Sequence, residues 1–190
     1  MKALSFFLNR ISNWKTFVAA LSIYIFFVGF ILKNAENRIN ELAGKTVGII
    51  DLSIGFNPEK TQNMVAAYGD AGRAYYATVE MTADVAYPVV YAFFFGIILT
   101  FLYRGKRGNW VNAVPFVALA FDYAENLMVV VLLKTFPMQP HALAVMCEVF
   151  KLGKWMAFGC CILLILYGLA SKCLQWIKRY KPVHNQAFIQ

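Results

Sequence analysis

The hydrophobic residues of this chain are gathered into four long blocks separated by polar stretches. The blocks cover residues 16–32, 77–103, 111–133 and 143–174. Each block is long enough to cross about 30 Å of hydrocarbon as an α-helix, which rises about 1.5 Å per residue. The pattern predicts an all-α membrane protein, with a four-transmembrane-helix bundle and a single integral membrane domain over residues 1–190.

The segments before and between the first two blocks carry signals of their own. Residues 1–15 form an amphipathic lead-in, and the first block is interpreted as a retained anchor because no small-x-small cleavage pattern follows it. Residues 33–76 are too many for a simple connection, so this loop should hold structure. Asn57 and Pro58 predict the start of a helix that Gly69 would end. That helix is either a lid over the bundle or an ordered connector.

Composition and charge support the membrane interpretation. The 190 residues are 60% hydrophobic, and the mean hydropathy is +0.56. The net charge of +8 could indicate nucleic-acid binding, but the basic residues flank the hydrophobic blocks and leave no basic domain. They are Lys2, Arg10, Lys15, Arg104, Lys106, Arg107, Lys172, Lys178, Arg179 and Lys181. By the positive-inside rule both termini are predicted to be cytoplasmic, and the 33–76 and 134–142 loops to lie outside.

One polar and aromatic stripe follows the second helix. At about 100° per residue, five side chains fall close to one line along it. They are Arg73, Glu80, Asp84, Tyr87 and Tyr91. Pro88 lies inside the span and removes a backbone donor, so we expect a kink there and a free carbonyl at Asp84.

The third and fourth helices also carry ionisable residues within their apolar blocks. Asp122, Glu125 and Asn126 have i, i+3 and i+4 spacing, which places them on one face. The fourth helix contributes Glu148, Lys151 and, further round, Lys154. An ionisable residue in the middle of a membrane costs about 2.5–3.5 kcal/mol on insertion scales, so such residues usually face partners in the protein interior.

The ionisable residues of the three helices fall at similar depths when their distance from the predicted outer membrane surface is counted along each helix. Asp84, Glu125, Asn126 and Lys151 fall about 10–12 Å below it. Five acids (Glu80, Asp84, Asp122, Glu125, Glu148) and three bases (Arg73, Lys151, Lys154) give a formal balance of −2. Protonation, a bound cation or a cationic ligand would relieve it. The cluster predicts an outward-facing binding or reaction site, although interhelical hydrogen bonding alone is the simpler alternative.

Signals for particular cofactors are weak. Cys147, Cys160, Cys161 and Cys173 all lie on the fourth helix, so neither a disulfide framework nor a metal set is expected. His141 and His184 are predicted in loop and tail, and we find no haem, zinc or nucleotide signature. A carboxylate site for Mg²⁺ or Ca²⁺ is possible, in which case the ligands would be Glu80, Asp84, Asp122 and Glu125.

Three motifs together resemble a family of uncharacterised bacterial four-span inner-membrane proteins. They are Gly69-x-x-Gly72-Arg73-x-x-Tyr76, Asp84-x-x-x-Pro88-x-x-Tyr91 and Asp122-x-x-Glu125-Asn126, followed by a lysine early in the last helix. The resemblance covers about residues 48–155. It implies the fold and a bacterial inner-membrane location, and it implies no activity.

Three functions are compatible with these residues. The first is a membrane protein that binds an ion, a proton or a polar or lipid headgroup at the outward site, alone or as an accessory subunit. The second is a carboxylate-dependent intramembrane enzyme acting on a lipid-linked or extracytoplasmic substrate. The third is a structural or assembly subunit. The expected partners are the lipid bilayer, a small ligand and another membrane protein or a second copy of the chain, and not nucleic acid.

Overall fold

The computed structural model describes residues 2–53, 55–104 and 109–180, without the side chains of Asn109, Arg179 and Tyr180. Within these ranges all regular structure is helical, which confirms the predicted all-α class. Four helices in the described residues are long and apolar enough to cross a membrane. They are Trp14–Ala43, Gly69–Tyr103, Trp110–Thr135 and His141–Lys178. Lys106, Arg107, Lys181 and His184, which entered the sequence predictions, lie outside the described residues.

The first long helix is composite. A short amphipathic helix, α1 (Lys2–Ile11), precedes α2 (Trp14–Phe26), a π-helical segment (Phe27–Leu32) and α3 (Lys33–Ala43). The Asn13 side chain accepts a hydrogen bond from the Thr16 backbone N–H, and the Thr16 hydroxyl accepts one from the Asn13 N–H, so a capping box starts α2. The helix passes well beyond the hydrophobic block, because its polar extension meets no helix breaker before Gly44, which has φ of 67°.

The 33–76 segment is therefore partly helical at both ends. Its middle holds a 3₁₀ turn (Ile50–Leu52) and α4 (Pro58–Ala67). The predicted start of α4 is confirmed, since Asn57 Oδ1 accepts a hydrogen bond from the Lys60 N–H at 2.9 Å and Pro58 takes the first helical position. Gly69, with φ of 66°, stands where α4 gives way to the next helix.

The second long helix is interrupted. It consists of α5 (Gly69–Glu80) and α6 (Ala83–Tyr103), with a turn at Met81 and Thr82. The break lies before Pro88 rather than at it. The free carbonyl expected at Asp84 is nevertheless present, and the Asn126 side-chain amide donates a hydrogen bond to it at 3.0 Å.

The last two long helices pack along each other. A 3₁₀ turn (Asn109–Ala113) leads into α7 (Pro115–Thr135), and α8 (His141–Tyr180) returns beside it. A methyl group at Gly153 of α8 would lie 2.6 Å from Phe121 Cδ1 of α7, so only glycine permits this approach. Helix α6 packs against α2, α7 and α8, whereas α2 presents no buried residue.

Three apolar clusters lie on the two sides of a polar layer. One cluster, at the end of the bundle that carries α4, joins α3, the loop, α5, α7 and α8 around Ile50, Tyr68 and Leu132. Its Tyr68 hydroxyl donates to the Gly48 carbonyl at 3.0 Å, and burial, then Asp51, raise the pKa of Tyr68 above its ordinary value. The other two clusters lie on the far side of the polar layer and centre on Ala118 and on Leu99. The charged residues of α6, α7 and α8 meet between these clusters.

Candidate functional site

A cavity of about 500 Å³ lies between the first long helix, α6 and α8. Its walls are mainly apolar and aromatic, whereas its inner end is lined by Asp51, Glu80, Asp84, Asp122 and Lys154. Of the residues that the sequence predicted, Glu80, Asp84, Tyr87, Tyr91 and Asp122 line this space. The predicted stripe along the second helix thus lines one cavity, with the exception of Arg73.

The cavity also reaches the side of the bundle. Val28 of the π-helical segment and Trp155 and Ile162 of α8 line it, and their exposed fractions are 42%, 48% and 49%. Helix α2 packs on α6, while α8 packs mainly on α7, which leaves a gap between the first and last long helices. The cavity therefore opens at the side of the bundle, among apolar residues of the first and last long helices and beside the Lys33–Glu36 ion pair of α3.

Three carboxylates from three segments come together at the inner end. One oxygen each from Asp51, Glu80 and Asp84 lies within 4.8 Å of the others. Glu80 is 1% exposed, and neither of its carboxylate oxygens accepts a hydrogen bond from the described residues. Asp51 reaches the cluster from the 3₁₀ turn of the loop, held by a hydrogen bond of 3.1 Å from the Tyr76 hydroxyl.

Lys154 organises a second group of carboxylates. Its ammonium pairs with Glu125 and lies 3.3 Å from Asp122 Oδ1 and 3.9 Å from Asp51 Oδ1. The Tyr91 hydroxyl donates a hydrogen bond of 2.8 Å to Asp122 Oδ2. Of the four metal-ligand candidates in the sequence, Glu80 and Asp84 thus lie in the cluster with Asp51, whereas Asp122 and Glu125 pair with Lys154.

Aromatic residues form the wall between the acidic end and the opening. The rings of Tyr87 and Tyr91 meet edge to face with centroids 5.3 Å apart, and Tyr24 stacks on Tyr87 at 6.3 Å. Trp155 closes the other side, and its indole N–H donates to the Asp51 backbone carbonyl at 3.2 Å. Tyr24 thus joins the first long helix to α6, and Trp155 joins α8 to the loop turn that carries Asp51.

Glu148 and Lys151, which the sequence placed in the site, instead hold the loop to α8. The Glu148 carboxylate pairs with Lys151 and accepts hydrogen bonds from the Thr61 hydroxyl at 2.6 Å and the Asn57 N–H at 2.9 Å. Lys151 also donates to Ser53 at 2.7 Å. Both side chains are almost fully buried, and neither lines the cavity.

Arg73 lies at the end of the bundle that carries α4. Its guanidinium pairs with Asp70, donates to the Val65 carbonyl at 3.2 Å and stands 3.7 Å from the centroid of the Phe136 ring. These contacts join α4, α5 and the end of α7. Arg73 is therefore separate from the carboxylates, although it shares their helix stripe.

Asp51 was not among the predicted site residues. The signal that could have found it is the one that identified Asp122, namely a carboxylate within an apolar run, here Ile49-Ile50-Asp51-Leu52. Lys154, which the helical repeat places further round the fourth helix than Glu148 and Lys151, is the residue that brings a positive charge to the carboxylates. Five carboxylates then face one ammonium, so the formal balance is −4 rather than the expected −2.

Comparisons of this chain with protein-family models, with curated proteins and with solved structures found no match. The resemblance to bacterial four-span membrane proteins stays a prediction that rests on the motifs. Its residues fall on both the site and its support: Asp84, Tyr91 and Asp122 line the cavity, while Tyr76 positions Asp51.

Proposed function

We propose that this protein is embedded in a bacterial inner membrane, with both termini cytoplasmic, and binds an amphipathic, lipid-like ligand in the cavity between its first and last long helices. The apolar part of the ligand lies along the aromatic wall, and its polar head reaches the carboxylates and Lys154. The observation that carries the proposal is the combination of a lateral opening with a charged inner end.

The surface supports the membrane placement. Large apolar side chains are exposed all along the long helices, among them Phe30 at 63%, Leu163 at 67% and Leu166 at 57%. Contiguous exposure of this kind is rare on soluble monomers but is the normal condition of helices in lipid. A ligand that dissolves in the bilayer would reach the opening by lateral diffusion without crossing water.

The cavity also favours binding over purely structural pairing of the charged residues. Interhelical hydrogen bonds need contact but no empty space, and they are individually modest, averaging about 0.6 kcal/mol. Here the carboxylates of Asp51, Glu80 and Asp84 border a space of about 500 Å³, within the usual range of small-molecule sites. A carboxylate-dependent enzyme remains a second candidate, favoured by the same three acids.

The test compares two valine positions on the first long helix that are both 42% exposed. Val28 lines the cavity, whereas Val18 does not. The wild-type protein, Val28→Trp and Val18→Trp would be purified in mild detergent and their bound amphiphiles identified by native mass spectrometry. We expect the wild type and Val18→Trp to retain one amphiphile and Val28→Trp to lose it, because the indole fills the opening.

Absence of any bound amphiphile from wild type purified from native membranes, or equal retention by both variants, would refute the proposal. The enzyme candidate is distinguished by the fate of the ligand. A chemically altered amphiphile after incubation with pure protein, with no change after incubation with an Asp84→Asn variant, would assign a reaction to the same cavity.

A further inference from the structure

We propose that the carboxylates of Asp51, Glu80 and Asp84 bind a hard divalent cation, Ca²⁺ or Mg²⁺, at the inner end of the cavity. The inference rests on the proposed function, because the cation would supply the contact for the ligand's polar head. It concerns a smaller set of residues and can fail independently.

The first argument is the state of Glu80. This side chain is 1% exposed, points into the cavity and accepts no hydrogen bond among the described residues. Carboxylate oxygens of Asp51 and Asp84 lie within 4.8 Å of a Glu80 oxygen, and they repel it when all three groups are ionised. A buried carboxylate oxygen without a donor is costly unless a cation or proton neutralises it.

The second argument is the distribution of positive charge. Lys154 is already engaged by Glu125 and Asp122, and it reaches only the nearer oxygen of Asp51, at 3.9 Å. Glu80 and Asp84 make no ion pair among the described residues. One divalent ion would bring the formal balance of the five carboxylates and one ammonium from −4 to −2.

The third argument is geometry. Oxygens within 4.8 Å of one another can share one ion at the distances that Ca²⁺ takes, about 2.3–2.6 Å, and Mg²⁺ at about 2.0–2.1 Å would need the three groups to draw closer. All three residues line the cavity, so the remaining coordination positions face its interior. A phosphate or carboxylate oxygen of a ligand headgroup could occupy them, although an acidic pocket without a cation would repel such an anionic group.

The experiment titrates Ca²⁺ and, separately, Mg²⁺ into chelator-treated protein in detergent by isothermal titration calorimetry. The variants are Glu80→Gln and Asp84→Asn, each of which removes one charge and keeps the side-chain size. The control is Glu41→Gln, which removes a carboxylate that pairs with Arg38 at the surface, with exposed fractions of 64% and 56%. Thermal unfolding without cation verifies that each variant is folded.

We expect one saturable site in the wild type and in Glu41→Gln, and about tenfold or greater loss of affinity in both cavity variants. Terbium, a Ca²⁺ mimic, locates the site when it is excited at a wavelength that tryptophan absorbs and tyrosine does not, because the Tyr76 hydroxyl also contacts Asp51. The indole of Trp155 bonds to the Asp51 carbonyl, so Trp155 should sensitise terbium emission. Trp155→Phe should strongly reduce that emission, and Ca²⁺ should reduce it in the wild type.

No binding of either cation at millimolar concentration, or unchanged affinity in folded Glu80→Gln, would overturn the inference. Unchanged affinity in folded Asp84→Asn would overturn it as well. The two proposals are separated by lipid analysis of the same preparations. If chelator-treated protein retains an amphiphile but binds no cation, the metal site is refuted and the cavity function stands. If the protein binds a cation but no preparation holds an amphiphile, the cavity function is refuted and the metal site stands.

Discussion

The hydrogen bond from Asn126 to the Asp84 carbonyl offers a prediction with a built-in comparison. Pro88 has no N–H, so the Asp84 carbonyl lacks its usual helical donor, and the Asn126 amide of α7 takes that place at 3.0 Å. We expect Asn126→Leu to leave the carbonyl unsatisfied when Pro88 is present. In a Pro88→Ala background the alanine N–H supplies the donor within α6, so the same substitution should matter less.

The magnitude follows from what the carbonyl loses. A buried acceptor left without a donor costs about 1–3 kcal/mol, whereas hydrogen bonds between membrane helices average about 0.6 kcal/mol and reach about 1.7. Since this carbonyl has no donor within its own helix, we expect the upper part of the membrane range, about 1.5 kcal/mol, with Pro88. With alanine the cost should fall to roughly 0.5 kcal/mol, so the coupling energy is about 1 kcal/mol.

The measurement is a double-mutant cycle of reversible unfolding in mixed micelles with rising SDS. The cycle itself needs four proteins, namely wild type, each single variant and the double variant, and its control needs two more. Asn37→Leu on the exposed face of α3 serves as control, and it should cost the same in both backgrounds. Equal costs for Asn126→Leu with proline and with alanine would refute the reasoning, because the amide would then be making a contact unrelated to the missing donor.

Three further tests concern the packing and the charges, and two of them compare a substitution with a control substitution. Gly153→Ala should destabilise the protein by about 1–3 kcal/mol through overpacking against the facing phenylalanine ring. Gly159→Ala, with open space around it, should stabilise the protein by about 0.5–1 kcal/mol. Changes of the same sign in the free energy of SDS unfolding would contradict this. Lys154→Met should cost about 3–5 kcal/mol by leaving buried carboxylates unpaired, and exposed Lys134→Met should cost little; similar unfolding midpoints would refute it. Thr61→Val should remove a donor to the α8 carboxylate and increase proteolysis of α4 without unfolding the bundle; global unfolding, or unchanged cleavage, would disprove it.

The helices and most of the charged layer could be predicted from the sequence because both depend on local spacing. An apolar block long enough to cross a membrane identifies a helix, and i, i+3, i+4 spacing places Asp122, Glu125 and Asn126 on one face without knowledge of neighbours. Pro88 similarly predicts a free carbonyl at a stated residue. These inferences need only the helical repeat and the chemistry of one side chain.

The partners of each charge could not be predicted in this way. Helical spacing gives the face on which Glu148, Lys151 and Lys154 lie, but it does not give the neighbour of each side chain. Glu148 and Lys151 contact the loop, whereas Lys154, one turn further along α8, contacts the carboxylates. Asp51 lies in a segment without a helical repeat, so no periodicity connects it to α5 or α6. Its position depends on the tertiary contacts that fold the loop over the bundle.

The pairing of Lys154 with Glu125 has a consequence for how such a chain would be inserted into the proposed membrane. Taken singly, α7 and α8 each present charges that the translocation machinery would release into lipid at about 2.5–3.5 kcal/mol per group near the helix centre. The two helices are consecutive and packed together along their length, so a hairpin would bring the ammonium and the carboxylate together before either faces hydrocarbon. The last two helices would then leave the translocon together as a hairpin. The ion pair that organises the finished site would thus also determine which helices are inserted together.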